Sequence, residues 1–127
     1  MDKTAFLFPI LVVFLFFSCK KEQSQNCKTP NEVSFKNDIQ PIFNQNCVSS
    51  GCHAANKPAG GLNLESASAY IELLNPKSGY IDTLNPNSSL LYVSMTSAIS
   101  PMPPKGKLDD CTTQLVLKWI QQKAKNN

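Results

Sequence analysis

The chain has 127 residues, enough for one domain. Its 12 basic residues are all Lys, set against 9 acidic ones for a net charge of +3. The lysines are scattered and Arg is absent, which argues against a nucleic-acid partner, since such proteins lean on Arg for phosphate and base contacts.

Ala5 to Phe17 (AFLFPILVVFLFF) is almost wholly apolar. The run is shorter than the roughly 20 residues a membrane-crossing helix needs. It has the length of the apolar region of a signal peptide. Phe17-Ser18-Cys19 closes it, and a small residue directly before a cysteine resembles the lipobox of bacterial lipoproteins. Residues 1–18 are therefore expected to be a signal peptide, with Cys19 the lipid-attachment site of an exported protein held in an envelope membrane. Residues 19–32 are polar, lack an apolar period, and read as a flexible tether. Residues 33–127 remain for the folded domain. A core of that size gains from a staple or a cofactor.

Ser34 is a fair N-cap for the first predicted helix. Phe35, Ile39, Ile42 and Phe43 follow at helical spacing, and Pro41 inside the pattern should bend it or restrict its first half. The helix should end near Asn46. Cys47 to Gly61 reads as loop, and Leu62 and Leu64 flank Asn63 in a short extended piece. Ser66 to Leu74 reads as a helix stopped by Asn75-Pro76, with Tyr70, Leu73 and Leu74 on one side. Pro86 to Ser89 opens another short helix that should bury Leu90 and Leu91. Ser97 to Lys107 holds three Pro and one Gly and must be loop. Asp109 or Asp110 caps the last helix, whose rows Cys111–Leu115–Trp119 and Val116–Ile120 make it the strongest in the chain. The class is all-α: short helices joined by loops long enough to need something to fold around.

The chemistry concentrates in Cys47-Val48-Ser49-Ser50-Gly51-Cys52-His53. Two cysteines followed at once by histidine are the mark of covalent haem attachment. The two thiols bind the haem vinyl groups, and the adjacent imidazole becomes the proximal iron ligand. The usual gap between the cysteines is two residues and here it is four, so two residues must loop out. The small Ser49, Ser50 and Gly51 permit that. Met102, in the run Pro101-Met102-Pro103-Pro104, is the candidate distal ligand. Met95, in an apolar helical setting, is its rival. Other readings of the same residues are a Cys47–Cys52 disulfide, or zinc held by Cys47, Cys52, His53 and a fourth cysteine.

In order and spacing, the chain resembles a class I cytochrome c domain of the form found in Bacteroidota and Planctomycetes lipoproteins. The stretches that carry the resemblance are FKNDIQPIF (35–43), the motif ending in Cys52-His53, GGLNL (60–64), PNSSLLY (86–92), Met102-Pro103-Pro104, and Leu108 to Ala124 with its Trp119-Ile120. The resemblance implies three to five short helices wrapped around one covalent haem c. It assigns thioethers to Cys47 and Cys52, and the iron ligands to His53 and Met102. It implies that the first and last helices cross, with Ile39 or Phe43 against Leu115, Trp119 or Ile120. Cys27 and Cys111 are then left over, and a disulfide between them is expected if those helices lie close. Closing that loop would be worth about 3–4 kcal/mol. Tyr70, Tyr80 and Tyr92 are all candidates for bonds to the haem propionates.

The implied function is one-electron transfer to a redox partner protein, not catalysis, with the lipid holding the protein to periplasm or cell surface. The alternatives are a haem-free, disulfide-stapled lipoprotein that binds another protein, and a haem sensor or peroxidase-like protein. Against a peroxidase, the chain has no second histidine to act as distal base.

Overall fold

The computed structural model describes residues 26–49 and 51–127. The expected signal peptide, the expected lipid site Cys19 and the first part of the expected tether lie outside the described residues. Among those described there are helices and no strands, as an all-α class requires. No described helix is long and apolar enough to cross a membrane.

The first helix has two parts. A π-helical turn, Phe35–Ile39, runs directly into α1, Gln40–Asn46. Ser34 caps it by accepting from the Asn37 N–H. Pro41 has no N–H to give the Asn37 carbonyl, and its ring would crowd a tight turn beneath it. The chain answers with wide bonds: Ile39 N–H donates to Ser34 O at 3.2 Å and Gln40 N–H to Phe35 O. The expected bend is thus a π-turn.

The later helices are α2 (Ala69–Leu73), α3 (Leu90–Thr96) and α4 (Asp110–Gln121), with 3-10 turns at Ala59–Gly61 and Pro86–Ser88. The α2 span is shorter than its sequence pattern, because Ser66 to Ser68 form a turn instead. Asp109 is the cap of α4, accepting from Thr112 N–H.

One core joins these elements. Ile39, Phe43, Leu64, Leu73, Val116, Trp119 and Ile120 are fully buried in it, and Leu115 packs at its margin. The π-turn lies against α4, with the Phe35 and Trp119 rings 5.2 Å apart and Tyr70 edge-on to Phe35 at 5.1 Å. The buried indole N–H donates to Lys125 O at 2.9 Å, so Trp119 enters the core without an orphaned donor.

Residues 27–32, polar in sequence, are tied to α4 and its C-terminal end. Cys27 is disulfide-bonded to Cys111. Thr29 Oγ1 accepts from Lys118 Nζ at 3.2 Å, and Asn31 O accepts from Gln122 Nε2 at 2.6 Å. Val33 N–H returns a bond to Gln122 Oε1 at 2.9 Å. Attachment through polar groups and one covalent bond leaves no apolar period, so composition alone does not reveal it.

Candidate functional site

Cys47 ends α1, its N–H donating to Phe43 O at 2.8 Å. The chain then turns back on itself. Cys52 N–H donates to Ser49 O at 2.9 Å and His53 N–H to Cys47 O at 3.0 Å, with Gly51 at φ +80°. That positive φ is open to Gly at no steric cost. The loop brings His53 back to the cysteine that precedes it by six residues.

His53 is held from two directions. Its carbonyl accepts from Leu64 N–H at 2.8 Å, and its Nδ1 lies 3.0 Å from Leu62 O. A backbone carbonyl can only accept, so Nδ1 carries the proton and Nε2 keeps its lone pair for a metal. The extended piece Leu62–Leu64, with both leucines buried, is what places that carbonyl.

Two adjoining cavities, of about 220 and 100 Å³, share Cys47, His53, Ala59 and Met102 in their walls. The larger is lined chiefly by apolar side chains, among them Leu62, Leu64, Leu90, Leu91 and Met95. The smaller adds Cys52, Pro103 and Pro104. Leu90, expected in the core, is 46% exposed because it faces this cleft.

Both cleft cysteines are free thiols. Burial, and then the neighbouring Cys52, push the Cys47 thiol up to about 11 from 9.0. Ser49 Oγ lies 3.1 Å from Cys52 Sγ.

Met102 is brought to the cleft by the Pro-rich loop. Its N–H donates to Ser94 O at 2.9 Å, which ties the loop to α3, and the Met102–Pro103 peptide is cis. Met102 lines both cavities and is 39% exposed. Met95 reaches only the larger cavity and is 3% exposed within the core. Of the three tyrosines, Tyr80 lines the cleft. Tyr70 donates instead to Ala124 O at 3.0 Å.

Cys27 and Cys111, bonded to each other, cannot serve as a fourth zinc ligand. Among the described residues no group of three or more His, Cys, Asp and Glu side chains could hold a bare metal ion. The set fits a haem: two free thiols, an imidazole with a free Nε2, and a thioether around one apolar cleft.

Residues 47–106 match the family model Planctomycete cytochrome C. The match supports a cytochrome c-like domain, and it takes in both cleft thiols, His53 and Met102. It leaves out the first helix and α4, which bring Phe35, Ile39, Phe43, Val116, Trp119 and Ile120 to the core. No curated protein and no solved structure matches the chain.

Proposed function

We propose that the protein is an exported, lipid-anchored c-type cytochrome with a single haem, and that it passes electrons one at a time to a redox partner protein. The observation that carries this reading is His53, its Nδ1 fixed on Leu62 O and its Nε2 free, set with Cys47 and Cys52 in one apolar cleft.

When bound, the haem supplies a one-electron change at its iron. Cys47 and Cys52 would hold it covalently, so that it is not lost when the fold loosens. His53, through Nε2, and Met102, through its sulfur, would hold the iron. An iron held by both His53 and Met102 would leave no place for a substrate, which favours electron transfer over catalysis. The thioether of Met102 favours the reduced iron and raises the potential. Leu62, Leu64, Leu90 and Leu91 keep water from the cleft. Tyr80, which lines the cleft, would be the tyrosine to bond a propionate. Lipid chains on Cys19 would give stable anchoring, which a single acyl chain does not.

The test is expression in a periplasm with haem-maturation machinery, followed by a pyridine haemochrome spectrum and intact mass. Haem retained after denaturation, at one per chain, is the expected result. A colourless protein with Cys47 and Cys52 paired would overturn the reading and leave a disulfide-stapled binding lipoprotein.

A further inference from the structure

The peptide group joining Leu62 to Asn63 is bonded at both of its ends. Its carbonyl oxygen, on Leu62, accepts from His53 Nδ1 at 3.0 Å. Its N–H, on Asn63, donates to Glu72 Oε2 at 2.5 Å. Glu72 lies on α2, and α2 carries no other acidic residue. The strap that holds this peptide is pinned beyond it as well, since Leu64 O accepts from the buried Gln40 Nε2 at 2.9 Å.

We infer that Glu72 is a positioning residue for His53, acting through this one peptide plane, and that its charge makes the imidazole a more electron-rich iron ligand. The inference rests on the haem reading above. A carboxylate bonded to the N–H of an amide draws that proton and moves electron density onto the carbonyl oxygen. Hydrogen bonds in such a chain polarise one another, so the carbonyl becomes a stronger acceptor. It then pulls harder on the Nδ1 proton, and Nε2 gains basicity. Metal-bound histidines commonly lean on a carboxylate or on a carbonyl. Here the two stand in series, with the amide between them. A more basic ligand favours Fe(III), so Glu72 lowers the potential that Met102 raises.

A bare scaffold role for Glu72 would hold the strap and do nothing more. Glu72→Gln separates the two, because a side-chain amide oxygen still accepts from Asn63 N–H while the charge is gone. In the haem-loaded variant the ratio of reduced to oxidised protein at a fixed solution potential should rise about threefold. That corresponds to roughly 28 mV at about 59 mV per tenfold change for one electron. In the reduced, 15N-labelled protein the His53 Nδ1–H resonance should move upfield as its hydrogen bond weakens. Glu72→Ala, which also removes the acceptor, should shift both further and speed exchange of the Asn63 amide. Glu65→Gln, which removes a carboxylate nearby in the chain, should leave the Nδ1–H resonance in place.

If Glu72→Gln changes neither the potential nor the imidazole resonance, the inference is overturned and the haem reading stands. Equal shifts in Glu65→Gln and Glu72→Gln would also overturn it, in favour of charge acting through space. If the wild type carries no covalent haem, the haem reading falls and ligand tuning with it; the imidazole resonance of the labelled protein would still decide whether the charge reaches His53.

Discussion

Met102 and Met95 both face the larger cavity, but only Met102 shares the smaller one with Cys52 and His53. Met102→Ala should keep covalent haem and turn the low-spin spectrum high-spin, whereas Met95→Leu should leave it low-spin. The reverse pattern would move the ligand to Met95. Cys47 offers a second check on the haem-free protein. Burial pushes its thiol up to about 11, so it should stay protonated at neutral pH, and alkylation should be slow there and quicken about tenfold per pH unit up to that value. A rate that levels off near 9 would mean the thiol is not buried as described. Residue identity carries much of the site in plain sight: Cys47, Cys52, the lone histidine and a proline-flanked methionine are letters in the sequence. What is not legible is the Leu62 carbonyl that orients His53, or its tie to Glu72. A backbone acceptor has no letter, and Glu72 looks like any acid on a short helix.

At the scale of elements, the caps and the rows of apolar residues decide what can be read. The first and last helices have both, and they form where the pattern puts them. The shorter α2 and α3 are blurred. Apolar periodicity marks a side chain that avoids water without saying whether protein or a bound group covers it, and Leu90 is such a residue. Asp109 shows how local the control of α4 is. Its carboxylate accepts from the Thr112 hydroxyl and N–H, at 2.6 and 2.9 Å, and these bonds hold its carboxyl below the usual carboxylate range. Removing it by Asp109→Ala should cost about 1 kcal/mol in chemical denaturation. A lowered carboxyl pKa means that the cap contributes above the unfolded-state value and is lost as pH falls through the folded one. The difference between wild type and variant should therefore shrink in acid and stay constant from pH 5 to 8. A difference that persists at pH 2 would contradict the capping role.

The molecule as a whole is closed by the Cys27–Cys111 bond, which spans 84 residues. A loop of that length is worth about 4–5 kcal/mol in the chain-entropy treatment, above the ~3–4 kcal/mol expected from the sequence. Cys27→Ser should lower the denaturation midpoint accordingly, and the haem-loaded wild type should show no thiol open to alkylation until it is reduced. A loss under about 1 kcal/mol would mean that the unfolded chain is already compact there. The same bond sets how the protein bears load. Tension applied upstream of Cys27 divides at the sulfur bridge and passes directly into the start of α4. The stretch from Lys28 through the first helix to Asn46 lies off that direct path. A pull on the N-terminal segment would thus be carried by the strongest helix, and the cleft around His53 would stay mechanically insulated from it.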